Sequence, residues 1–196
     1  MTQDNPWTVL SSKRAFDDPW IAVIDHCVRD AAGRERQYGV VHYKAIGFRV
    51  LPIDDEGSTW LVGQYRFAAG QYSWELPAGS GERTEAPKHA AARELGEEVG
   101  ITASQWLMIN QLSPSGAVAD AREVSFLAWD LGRTERHPDP QEALTLRRLP
   151  FGEAVDLALR GEITNAGSVA TLLAVQIKAD RGELPSEVER LLKGGS

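Results

Sequence analysis

Gly79-Ser80-Gly81-Glu82-Arg83-Thr84-Glu85-Ala86-Pro87-Lys88-His89-Ala90-Ala91-Ala92-Arg93-Glu94-Leu95-Gly96-Glu97-Glu98-Val99-Gly100-Ile101 is the stretch on which the reading of this chain turns. Its middle is rich in alanine and glutamate up to Glu98, and Gly100 ends it in C-cap fashion, so the segment is read as a helix. At about 100° per residue, Glu94, Glu97 and Glu98 fall within an arc of roughly 100°, beside an apolar stripe of Ala92, Leu95 and Val99. Like charges at this spacing oppose one another. They also lie toward the helix C-terminus, where the macrodipole disfavours negative charge. Arg93 supplies one cation for three carboxylates. A hard divalent cation, which prefers carboxylate oxygens, would supply the rest. A solvated acidic helix face is the commoner explanation of a glutamate cluster, so the cluster alone does not decide.

Outward from the helix, the first third of the chain reads as strands. Trp20 to Val28 and Glu35 to His42 flank a polar stretch with Asp30 and Gly33, a hairpin pattern. Ala45 to Leu51 and Trp60 to Tyr65 are apolar runs separated by Asp54-Asp55-Glu56-Gly57. Ser73-Trp74-Glu75-Leu76 leads into Pro77-Ala78-Gly79-Ser80-Gly81, which is read as a loop. Beyond the helix, Trp106 to Leu112 and Glu123 to Leu131 read as strands around a turn-rich loop, and Leu144 to Leu149 as a short strand. Phe151 to Arg160, Asn165 to Ala179 and Pro185 to Lys193 carry helical spacing, with Gly161 and Gly182 as stops.

Bulk properties narrow the function. A chain of 196 residues is long enough for one substantial core with a small appendage. A net charge of −7 leaves no uniform positive field for a nucleic-acid backbone, so no nucleic-acid partner is expected. There is neither a membrane-length apolar run nor a leader-like start, so no membrane partner is expected. The single cysteine, Cys27, fits a reducing compartment, and a cytoplasmic location is expected. The four histidines show no metal-ligand spacing.

The spacing of the whole opening segment changes the weighing. Gly79, five residues, Glu85, seven residues, Arg93-Glu94-Leu95, one residue, Glu97-Glu98, one residue, Gly100-Ile101 resembles the Nudix box at every specified position. Average residue frequencies put a chance match at on the order of one in ten million. The resemblance to the Nudix hydrolase family implies an α/β fold, an α/β/α sandwich with a mixed sheet, and a catalytic loop and helix at 79–101. It implies that Glu94 and Glu98 are the principal metal ligands, with Glu97 a further ligand or water-holding carboxylate. Arg93 is similar to the arginine that orients those glutamates, and Glu85 to its carboxylate partner. The implied cofactor is Mg²⁺, with Mn²⁺ as a substitute.

Ser73-Trp74-Glu75-Leu76-Pro77-Ala78-Gly79 and Gln64-Tyr65-Arg66 resemble the ADP-ribose pyrophosphatase and nucleotide-sugar hydrolase branch. By that likeness Ala78 offers a backbone carbonyl to the metal, and Arg66, with Trp74 and Glu75 beside it, contacts the substrate. A guanidinium fork pairs well with diphosphate oxygens. For Trp74 a core position is weighed ahead of stacking on a base. The expected substrate is a small-molecule nucleoside diphosphate derivative, ADP-ribose or a nucleotide sugar, cut to a nucleoside monophosphate and a sugar phosphate. Rivals are Nudix hydrolases of dinucleoside polyphosphates, NADH or oxidised nucleoside triphosphates, and a non-catalytic nucleotide sensor.

The same likeness implies a small N-terminal antiparallel β-domain at 1–43 that forms a homodimer, followed by a hydrolase domain at 44–196. Trp7, Phe16 and Trp20 then pack across a dimer interface, stack on a base, or are buried in their own subunit. One departure stands out. Where the branch carries a catalytic glutamate in the loop after the box, this chain has Ala121. Asp120 and Glu123 flank it as candidate bases, Glu123 ahead of Asp120, the alternative being a hydroxide at the metal held by Glu97.

Overall fold

A computed structural model describes residues 4–137 and 143–194. It opens with an antiparallel sheet of β1 (Thr8–Asp17), β2 (Ile21–Arg29) and β3 (Glu35–Tyr43), in that order. The β2–β3 turn is organised by Asp30. Its carboxylate accepts from the backbone N–H groups of Ala32 and Arg34 and from the guanidinium groups of Arg34 and Arg36. Led by the Arg36 hydrogen bond, these donors hold its pKa down at about 2.

The remainder contains β4 (Ala45–Pro52), β5 (Ser58–Arg66), β6 (Gln71–Glu75), β7 (Ala78–Glu82), α1 (Pro87–Val99), β8 (Ile101–Leu112), β9 (Glu123–Arg133), β10 (Thr145–Pro150), α2 (Phe151–Leu159), α3 (Ala166–Asp180) and α4 (Ser186–Gly194). A four-stranded sheet runs β7-β4-β9-β8, with β4 and β9 parallel and its other pairs antiparallel. A three-stranded antiparallel sheet runs β10-β5-β6.

Period-two alternation on β4 and β9 divides the interior into two cores. Phe48, Val50, Val124, Phe126 and Ala128 pack with Ala90, Ala91, Leu95 and Val99 of α1. Leu51, Leu127 and Trp129 pack instead with α2, α3 and α4 through Phe151, Val155, Leu172, Val175 and Val188. The result is a mixed sheet with helices on both faces, the expected sandwich, preceded by the expected antiparallel sheet. Arg49 and Glu123 lie on the α3 side, where Arg49 bonds Ser168. Among the described residues no helix is long and apolar enough to cross a membrane.

Three readings change. The segment read as a Pro77 to Gly81 loop is in part strand β7, paired with β4 from Ala45↔Glu82 to Arg49↔Ala78. Its Ala-Gly-Ser-Gly-Glu sequence has little strand propensity, and tertiary pairing overrides it. Strand β1 went unrecognised because every one of its residues is exposed, leaving no apolar alternation to read. Burial of Trp7, Phe16 and Trp20 within their own subunit does not occur: they are 41%, 51% and 70% exposed.

Candidate active site

The apolar stripe of α1 fixes where its carboxylates go. With Ala90, Ala91, Leu95 and Val99 seated on the sheet, Glu98 is carried into a buried position, where its Oε2 accepts the backbone N–H of Ala78 at 2.9 Å. Glu94 reaches the neighbouring residue of β7. A Cβ on Gly79 would overlap the Glu94 carboxylate, so glycine is what allows that carboxylate to lie against the strand. Gly81 does the same for Glu85, since a Cβ there would stand 2.5 Å from Glu85 Oε2 and 2.9 Å from Phe48.

Arg93 gathers the acids: its Nη1 lies 2.8 Å from Glu94 Oε1 and 3.0 Å from Glu97 Oε2. Its Nη2 donates to the Ser80 carbonyl at 3.3 Å and lies 4.0 Å from Glu85. Burial disfavours the Arg93 charge, but the negative charges of Glu94, Glu97 and Glu85 outweigh burial and raise its pKa. Among the described residues no three acidic or histidine side chains converge as a ready metal cage. Of the three carboxylates expected to gather, Glu98 is bonded to the Ala78 amide, and Glu94 and Glu97 are drawn to Arg93. The donor set still suits a hard divalent cation in kind. It consists of carboxylate oxygens beside a glycine backbone that leaves room for Glu94, with the Arg93 guanidinium shared by Glu85, Glu94 and Glu97.

A second charged group lies on the α3 side. The carboxylate of Glu75, 2% exposed, accepts both Arg66 Nε at 2.8 Å and Arg66 Nη2 at 2.9 Å, and Arg49 Nη1 is 3.7 Å away. Arg49 is itself buried. It donates to Glu123 through Nε at 2.9 Å and Nη2 at 3.2 Å, and to the Ser168 hydroxyl through Nη1 at 2.9 Å. Ser168 Oγ also accepts the Leu76 amide at 3.0 Å, and Asn165 caps α3 by accepting the Ser168 N–H. Burial pushes the Glu75 pKa up, but the Arg66 hydrogen bond and the charges of Arg66 and Arg49 outweigh it, and the net shift is downward.

These contacts revise several expected roles. Glu75 is enclosed and committed to Arg66, so it would act on a substrate only through that arginine. Trp74 is half-buried against the main core and meets Tyr72 edge-to-face at 5.6 Å, as expected of a core aromatic. Glu123, expected as a base, is instead clasped by the Arg49 fork. Asp120 accepts the Tyr43 N–H at 2.8 Å and meets His42 Nδ1 and Arg83 Nη2, each at 3.1 Å. Burial raises the Asp120 pKa, yet the Tyr43 amide, His42 and Arg83 together bring it below the usual value, which weakens it as a base. The sequence reading missed Arg49, Ser168 and Arg83. For Arg49 a signal existed: an arginine inside an otherwise apolar strand must find buried partners.

Comparisons with known proteins agree with this geometry. Residues 44–172 match the NUDIX domain family, and residues 7–41 match the family described as nucleoside diphosphate sugar hydrolase N-terminal domain. An ADP-ribose pyrophosphatase of Mycobacterium tuberculosis is 39% identical over 140 residues, 69% of this chain and 66% of that protein. An ADP-ribose pyrophosphatase of Bacillus subtilis is 32% identical over 131 residues, 66% of this chain and 71% of that protein. The chain thus spans just under two thirds of the first relative's length. A crystal structure of an ADP compounds hydrolase superposes with a TM-score of 0.82, covering 94% of this chain and 100% of that one at 22% identity, which shows a shared fold. Nudix hydrolases generally use divalent metal ions, in keeping with the oxygen donors of α1. With the box, the sandwich and two thirds of its length matched, the chain belongs to the Nudix hydrolase family.

Proposed function

We propose that this protein hydrolyses the diphosphate bridge of ADP-ribose or a closely related nucleoside diphosphate derivative, releasing a nucleoside monophosphate and a sugar phosphate. The observation that carries the proposal is the seating of Glu94 and Glu98 against Gly79 and Ala78, by a helix whose sequence matches the Nudix box throughout. Glu94, Glu98 and Glu97, with the Ala78 carbonyl, would hold Mg²⁺, or Mn²⁺ in its place. Bound there, the ion neutralises phosphate charge and lowers the pKa of water. Arg66 pairs with the diphosphate oxygens, and Arg93 sets the rotamers of Glu94 and Glu97. Water adds to one phosphorus while the P–O bond to the bridging oxygen breaks. Glu97, whose side chain is 42% exposed against 15% for Glu94, is the accessible carboxylate to take the water's proton.

A nucleotide sugar is the second reading, favoured by the match of residues 7–41 to a nucleoside diphosphate sugar hydrolase domain. The same proposal divides the chain at residue 43, with 1–43 forming a homodimer across exposed Trp7, Phe16 and Trp20, and places the protein in the cytoplasm, where free Cys27 is compatible. Incubating the purified protein with ADP-ribose, nucleotide sugars, NADH, dinucleoside polyphosphates and nucleoside triphosphates, with Mg²⁺, Mn²⁺ or chelator, tests the assignment. Metal-dependent release of AMP from ADP-ribose is the expected result. Preferential cleavage of triphosphates, or turnover that survives the chelator, would refute it.

A further inference from the structure

We infer that Arg49 is a positioning residue for substrate binding, acting through Glu75 on Arg66, with Glu123 and Ser168 as the anchors that hold Arg49. This rests on the assignment of Arg66 to the substrate diphosphate. Arg66 commits its Nε and Nη2 edge to Glu75, yet its side chain remains 41% exposed and borders a cleft of about 310 Å³ shared with Gln71, Ser73, Thr164 and Asn165. The direction of the Arg66 fork is therefore set by Glu75.

Glu75 is also approached by buried Arg49, whose Nη1 stands 3.7 Å from its Oε2. A carboxylate between two guanidinium groups keeps its charge despite burial, in line with its lowered pKa. Arg49 cannot drift from this place. Its remaining donors are taken by Glu123, by the Ser168 hydroxyl and, at 3.3 Å, by the Leu76 carbonyl. The molecule leaves space for this arrangement at Gly167, where a Cβ would overlap Glu123 Oε1 and stand 2.7 Å from Arg49 Nε. The chain of contacts joins β5, β6, β4, β9 and the first turn of α3. Within it Arg49 meets Glu75 and Glu123, and Arg66 meets Glu75. Lysine could not replace Arg49, because a single ammonium cannot present a planar fork to Glu123 and a third nitrogen to Ser168.

The test is a double-mutant cycle in the intact protein. Arg49→Lys and Glu123→Gln are each made alone and in an Arg66→Ala background, and KM and kcat for ADP-ribose are measured beside circular dichroism and a thermal denaturation curve. Misaiming Arg66 weakens ground-state binding, so each single variant should raise KM about tenfold, with kcat changing much less. In the Arg66→Ala background the same changes should have no further effect on KM, because the residue they act through is gone. Glu123→Gln keeps the side-chain shape and carries the prediction if Arg49→Lys does not fold. Folded variants with KM within twofold of the parent, including those that only melt earlier, would make Arg49 a structural ion pair and overturn the inference, as would effects that multiply with Arg66→Ala. A parent protein that cleaves no diphosphate substrate would instead overturn the proposed function and the inference with it, and so the two failures are told apart.

Discussion

Two charged clusters flank the same strands, and they differ in balance. On the α1 side, a single guanidinium, that of Arg93, is shared by Glu85, Glu94 and Glu97, in a setting open enough that the Glu97 side chain stays 42% exposed. On the α3 side, Arg49 and Arg66 meet Glu75 and Glu123 in equal number, with Arg49 and Glu75 buried. Unpaired charge in the interior is expensive, so a sealed cluster must be neutral. On the α1 side Glu97 stays near solvent, where its carboxylate is within reach of a cation. The contrast separates the group suited to chemistry from the group suited to holding a shape.

The largest expected effect comes from the unbalanced side. Glu98→Gln keeps the shape and an acceptor for the Ala78 amide but removes one of the carboxylates proposed to hold the metal, and turnover of ADP-ribose should fall on the order of a hundredfold or more. Activity equal to the parent's in a steady-state assay would show that the α1 cluster is no more suited to chemistry than the α3 one. An intermediate effect is expected from the balanced side, in stability. The Glu75 pKa is lowered on folding from an ordinary value of 4.5. Its contribution is thus fully present above that ordinary value and is lost as pH falls through the lowered, folded-state one. Glu75→Gln should cost about 2 kcal/mol at neutral pH, and its denaturation midpoint should fall less steeply on acidification than the parent's. Parallel acid profiles would show that Glu75 does not hold the cluster together. The smallest effect should be that of Asp120→Asn. Held by the Tyr43 amide, His42 and Arg83, Asp120 is a tether, so kcat should change by less than about threefold, against the roughly 100- to 10,000-fold that losing a general base costs.

The α1 cluster was legible because Arg93, Glu94, Glu97 and Glu98 lie within six residues on a single periodic element, where spacing alone dictates a shared face. The strands of the sandwich were legible for a related reason, each having apolar residues to bury. The α3 cluster was not, since Arg49 is 74 residues from Glu123 and 119 from Ser168, and only the parallel pairing of β4 with β9 and the docking of α3 bring them together. That is also why Glu123 was read as a base: as a sequence position it is an acid beside a catalytic loop, and its fate depends on a guanidinium on β4, separated from the box in chain order by β5 and β6. Strand β7 was hidden by its glycines, which the same close approach of Glu94 and Glu85 requires.

The loop between β8 and β9 is fastened less to the sandwich than to the N-terminal sheet. Val41 donates to the Val118 carbonyl at 2.8 Å and accepts from the Asp120 N–H at 3.1 Å, Tyr38 donates to the Ala117 carbonyl at 2.6 Å, and Asp120 caps the Tyr43 amide. A segment tied in this way travels with whatever carries β3. Asp120 also meets Arg83, which donates to the Tyr43 carbonyl, so hydrogen bonds join the end of β3, the β8–β9 loop and the segment leading into the box helix.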